Sequence, residues 1–124
     1  LAMPDKQWIG EEYKERYDGE HYTAESAAGW AAAMVICEGL EAAGTDDSDA
    51  LNTAIRGLVI PTDAWWNIYP YEIAFDPVTG KNMNAIPVMG QFQDTKIKLI
   101  YPESIQAEGP ELVFPGYELS PLNK

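Results

Sequence analysis

The sequence predicts an α+β chain: three helices, then a small antiparallel meander, then an extended tail. Three observations predict it. Apolar residues recur at helical spacing up to about residue 58. The period shortens to two between residues 71 and 101. Prolines then recur at Pro102, Pro110, Pro115 and Pro121, which leaves no room for a regular element.

The first helix is read over residues 4–17. Ile9, Tyr13 and Tyr17 fall at i, i+4 and i+8, with Trp8 beside them. Glu12 and Arg16 form an i, i+4 pair on the polar side, and Asp18-Gly19 stops the helix. The second helix is read over residues 23–43. Trp30, Met34, Cys37 and Leu40, with Ala33 between, make its apolar stripe. Its alanines favour helix and permit close packing. Gly29 and Gly39, at about 1 kcal/mol each against Ala, are expected at tight contacts, and Gly44 is a natural C-terminal cap.

Thr45-Asp46-Asp47-Ser48-Asp49 opens a third helix that runs to Arg56. Leu51, Ala54, Ile55 and Leu58 form its buried face, and Gly57 its exit. Residues 59–70 are irregular. Residues 71–75 alternate as a strand, and 76–80 form a turn in which Pro77 and Gly80 supply the special dihedrals. Residues 85–93 read as an edge or bulged strand, weakened by Pro87 and Gly90. Residues 96–101 close the meander, with Ile97, Leu99 and Tyr101 on one face.

Composition bounds the function. The chain has 124 residues, enough for one core, with 46% hydrophobic and 23% charged residues, the globular range. A net charge of −12 repels phosphate backbones and anionic membranes, so no nucleic-acid partner is expected. Cys37 is the sole cysteine and His21 the sole histidine, so neither an internal disulfide nor a closed zinc site can form. No stretch reaches the roughly 18 apolar residues that span a bilayer. No signal peptide is visible, and Leu1 at the start reads as a longer chain that has been cut.

Each candidate for chemistry has a plain counterpart. Asp46, Asp47 and Asp49 lack the Gly and Glu of a calcium loop and read as helix-start residues. Glu11, Glu12 and Glu15 fall on the wet face of a helix. Cys37, in the apolar stripe, reads as a buried inert thiol. His21 reads as a surface or cleft-edge residue. No phosphate loop, nucleophile elbow or metal-binding His pair is present, so no catalytic residue, metal or cofactor is expected. Trp65-Trp66, with Tyr69 and Tyr71, forms an aromatic concentration in a loop. Such a group either walls a ligand or partner site, or packs the loop onto the sheet.

The order of elements resembles the C-terminal portion of type I periplasmic solute-binding proteins of branched-chain amino acid ABC transporters. The stretch EYKERYDG, residues 12–19, looks like that family's short helix with a Tyr-Gly-like end. SAAGWAAAMVICEGLEAAGT takes the place of its Ala-rich helix, with Trp30 and Ala31 where the family has Tyr and Asp. Ala54-Ile55-Arg56-Gly57-Leu58 matches its Arg-Gly-Leu step. Phe75-Asp76, Gly80, Gln91 and Tyr101-Pro102 match the strands that follow. The likeness covers residues 8–103, and the two departures mark a divergent subgroup.

The resemblance implies an α/β fold of two lobes joined by a hinge, of which this chain is a partial α+β piece. Residues 1–60 would belong to one lobe, the meander 61–103 to the other, and 104–124 would form the extended tail. The second helix would lack a sheet beneath it, so self-association of the chain is expected. The resemblance also implies a function: the substrate-binding component of an ABC transporter, which captures a small polar solute, an amino acid or related amide, without converting it. The partners implied are that ligand and ABC permease subunits, and the location is periplasmic or extracytoplasmic. Residues 22–26 would line the cleft, with Tyr22 and Glu25 as ligand-binding residues. Glu25 either pairs with a ligand ammonium or is a first-turn helix acid. The alternatives are a free-standing α+β interaction module built on the Trp65-Trp66 loop, and a cytoplasmic ligand-sensing regulator of the same fold. An enzyme is the most remote reading.

Overall fold

A computed structural model describes residues 4–93, 96–103 and 113 of the chain. It is a small α+β structure with three helices and two small antiparallel sheets. A 3-10 turn, Pro4–Lys6, leads into α1, Gln7–Arg16. Asp18 and Gly19 then take positive φ, 50° and 85°, and the chain breaks away from the helix as the sequence predicts. α2 runs over Ala24–Ala43, with the Thr23 side chain accepting from the Ser26 amide and Gly44 closing it at φ 64°. α3, Ser48–Arg56, is capped by Asp47, whose carboxylate accepts from the Asp49 and Ala50 amides. The acidic run is therefore a helix start.

The packed side of α2 differs from the stripe read in sequence. Ala27, Ala31, Val35 and Gly39 form the inward row at i+4 steps, with Trp30, Met34 and Glu38 beside it. Cys37 and Leu40 are exposed, so the expectation of a buried thiol fails. The reason is steric. Small residues at 31 and 39 let neighbours approach, and α3 lies across Gly39, where an added Cβ would stand 2.5 Å from Ile55 Cγ1. Gly29, also expected at a tight contact, faces open space.

The strand region departs further. β1, Val59–Ile60, and β2, Ile73–Ala74, pair antiparallel as Val59↔Ala74 and Ile60↔Ile73. The second sheet joins β3, Met89–Gln93, to β4, Lys96–Tyr101. The single meander is thus two separate sheets. After the 76–80 turn the chain returns to β2 through the Phe75↔Asn82 bridge and the Met83 amide, which donates to the Ala74 carbonyl at 2.8 Å, and the next strand begins at residue 89. Pro87 has no N–H to give a ladder. The compact units divide at this point, one up to Ile86 and one from Pro87 onward. In the first unit, Trp66, Tyr69, Ile73 and Phe75 pack in one cluster with Trp30, Met34 and Val35 of α2. In the second, the Gln91 side-chain amide pairs with both backbone groups of Val113. Apart from Val113, the tail 104–124 lies outside the described residues.

Two clusters make the core of the first unit. Ile9, Ala31 and Ile68 tie α1 to α2; Ile60, Trp66 and Ile73 lie under the first sheet; Trp30 and Tyr69 pack against both. The 61–72 loop is ordered by Asn67, which is fully buried. Its Nδ2 donates to the carbonyls of Pro61 and Tyr71, each at 3.1 Å, and its Oδ1 accepts from the Tyr69 amide at 3.0 Å. The 76–80 turn is held in the same way. The Asp76 carboxylate accepts from the Val78 and Thr79 amides, while Arg56 donates to the carbonyls of Pro77 and Val78.

The two helical glycines give a paired prediction. Gly39→Ala drives a methyl into α3 and destabilises by about 1–3 kcal/mol. Gly29→Ala fills open space and stabilises by up to about 1 kcal/mol through helix propensity. Thermal melts of the two variants should shift in opposite directions, and a shared sign would refute this packing.

Candidate functional site

The candidate site is an aromatic groove between α1 and α2, and helix periodicity builds it. On α1, Trp8, Glu12 and Arg16 fall at i, i+4 and i+8, with Ile9, Tyr13 and Tyr17 in the next row. On the facing side, Tyr22, Ser26 and Trp30 repeat the same spacing into α2. Trp65 closes the end, and the groove encloses about 610 Å³.

Trp65 reaches the groove because of its neighbour. Trp66 is 1% exposed, its indole Nε1 donating to Glu38 Oε1 at 2.9 Å and its carbonyl accepting from Trp30 Nε1 at 3.1 Å. With residue 66 turned inward, residue 65 faces out, at 57% exposure, and stacks on Trp8 with centroids 6.3 Å apart and planes 24° apart. Trp30 meets both rings edge-on, at 6.5 Å and 6.1 Å. The two readings of the Trp65-Trp66 pair are therefore split between its members. Trp66 packs the loop, and Trp65 forms a wall.

The other wall carries tyrosines and charges. Tyr13 lies 4.5 Å from Tyr17 and 5.3 Å from Tyr22, ring to ring. The Tyr22 ring is half-buried, yet its hydroxyl is cut off from solvent and finds no partner. Burial, followed by the nearby Tyr69 and Tyr13, raises its pKa above the ordinary tyrosine value. Arg16 Nε donates to Glu12 Oε1 at 2.6 Å. Both side chains are well exposed, so this pair adds little stability.

Of the residues named from sequence, Tyr22 lines the groove and Glu25 does not. Glu25 is fully exposed in the first turn of α2, where hydrogen bonds from Thr23 and from its own amide hold its carboxyl below the ordinary range. His21 is exposed beside Tyr22 in a separate polar hollow with Gln7, Gly10, Glu11 and Lys14. Sequence reasoning placed Trp8 on the apolar face, Glu12 and Arg16 on the wet face, and Trp30 in the packing stripe. The shared i, i+4, i+8 row of Trp8, Glu12 and Arg16 was the signal that could have joined them.

Another hollow, of about 470 Å³, lies between α3 and the 76–80 turn, where Arg56 is already engaged with backbone carbonyls. Among the described residues no cluster of three His, Cys, Asp or Glu is placed to hold a metal, and no helix is long and apolar enough to cross a membrane.

An unpartnered buried hydroxyl costs about 1–3 kcal/mol. Tyr22→Phe is therefore expected to raise the melting temperature by a few degrees. A lower melting temperature would show that the hydroxyl has a partner in the folded chain. No family model, no curated protein and no solved structure matches this chain.

Proposed function

We propose that this chain captures a small polar solute, an amino acid or related amide, without converting it. In this reading it is the C-terminal portion of a type I periplasmic solute-binding protein that serves an ABC transporter. The observation that carries the proposal is the groove. It pairs a volume suited to a small molecule with mostly aromatic walls and a few polar groups, the exposed Glu12–Arg16 pair among them. The groove joins two helices to a loop, and in a two-lobed parent such a surface would close on its ligand and present the closed form to permease subunits. The exposed Ile36 and Leu40 of α2 support self-association of the chain on its own.

The exposed Trp8, Tyr17 and Trp65 also favour a second reading, an interaction module, because Trp and Tyr dominate the energetic centres of protein interfaces. Titration calorimetry with a panel of amino acids and their amides separates the two. The capture reading predicts saturable one-to-one binding of at least one panel member, weakened about tenfold or more by Arg16→Gln through lost charge-assisted hydrogen bonds. Silence across the whole panel would reject capture and favour the module.

A further inference from the structure

We infer that the solute taken by this groove is an α-amino acid with an aromatic side chain; the inference rests on the capture reading and adds the ligand's chemistry. Three observations carry it. The first is the density of rings. Trp8, Tyr13, Tyr17, Tyr22, Trp30 and Trp65 all line one hollow. The Trp trio is closed on itself at centroid distances of 6.1–6.5 Å, so nothing fits between its members. A ligand instead lies along the groove against the exposed parts of Trp8 and Trp65, which are 44% and 57% exposed. Ring-on-ring contact there adds about two- to tenfold in affinity beyond burial of the same apolar area.

The second observation is the charge pair on the same wall. Among the described residues, one hydrogen bond from Arg16 Nε to Glu12 Oε1 leaves the terminal guanidinium nitrogens and the second carboxylate oxygen unengaged. A zwitterionic head group can therefore bind with the pair intact, its ammonium on Glu12 and its carboxylate on the Arg16 fork. A simple organic cation would meet Arg16. A simple carboxylate would meet Glu12 and a chain of net charge −12. A zwitterion meets complementary charge at both poles and no net repulsion.

The third is spacing. Trp8 lies four residues before Glu12 on one row of α1, a rise of about 6 Å. A head group at Glu12 and Arg16 thus lies one helical turn from the Trp8–Trp65 rings, within the reach of a side chain whose ring sits one methylene from the α-carbon. Tyr22 and Tyr13 flank that path on the other side.

The test is titration calorimetry on the 124-residue chain with L-phenylalanine, L-leucine, 3-phenylpropionate and 2-phenylethylamine. L-Phenylalanine is expected to bind severalfold tighter than L-leucine, the ring term alone supplying about two- to tenfold, and about tenfold or more tighter than 3-phenylpropionate and 2-phenylethylamine. Trp65→Ala should bring phenylalanine down to the level of leucine. Because Trp65 is exposed, that variant keeps its fold, and circular dichroism checks it. Glu12→Gln should weaken phenylalanine and leave 3-phenylpropionate unchanged or stronger. Leucine binding as tightly as phenylalanine would overturn the aromatic class while leaving capture standing. An equal affinity for 3-phenylpropionate or 2-phenylethylamine would overturn the zwitterionic head group. No binding by these four probes, nor by the wider panel, would remove capture and this inference together.

Discussion

The burial of Trp66 is the constraint on which the rest of the first unit depends. Its indole N–H is satisfied by Glu38, and its carbonyl takes the Trp30 indole N–H, so the loop is pinned to α2 at two points one helical stretch apart. Asn67 follows at once and ties the loop to itself through three hydrogen bonds. Among the described residues of this unit the apolar side chains buried outright are Ile9, Ala31, Ile60, Trp66, Ile68, Ile73 and Ala74. Losing a buried Trp side chain costs about 3–5 kcal/mol, close to the lower end of the stability of a whole domain.

That same constraint makes the groove. A chain that turns residue 66 inward presents residue 65 to the other side, where it meets Trp8 on α1. Trp30 serves both, donating its N–H to the Trp66 carbonyl while its ring edge completes the wall with Trp8 and Trp65. Packing and proposed binding thus share one set of side chains. The groove keeps large rings in water, which is unfavourable unless a ligand or partner covers them. Tyr22, with a shielded hydroxyl and no partner, adds a second unfavourable feature at the same place. Clustered local costs of this kind are where binding sites are expected.

Much of this was legible in the sequence, and the parts that were not have physical causes. The helices were legible because their signals are local: the acidic run 45–49 as a helix start, Gly44 as a C-terminal cap, and Asp18-Gly19 as a stop. The direction α2 faces was not. Ala, Gly, Ile, Cys and Leu surround it on all sides, so periodicity alone could not tell the Trp30–Cys37–Leu40 stripe from the Ala31–Val35–Gly39 row that α3 selects. Strand pairing was equally hidden. The two-residue strand β1 carries almost no period, and its pairing with β2 spans the Trp66 loop, a non-local contact. At the site, Tyr22 and the aromatic loop could be named from sequence. The assembly of Trp8, Glu12 and Arg16 with Trp30 and Trp65 could not, because it depends on how α1 lies against α2.

The most direct test of this account is the set of indole N–H signals in a nitrogen–proton spectrum, recorded as L-phenylalanine is added. The four tryptophans give four probes. The account predicts that the Trp66 signal exchanges most slowly with solvent and stays in place, while those of Trp8 and Trp65 shift together and saturate. A fast-exchanging Trp66, or shifts that bypass Trp8 and Trp65, would contradict it.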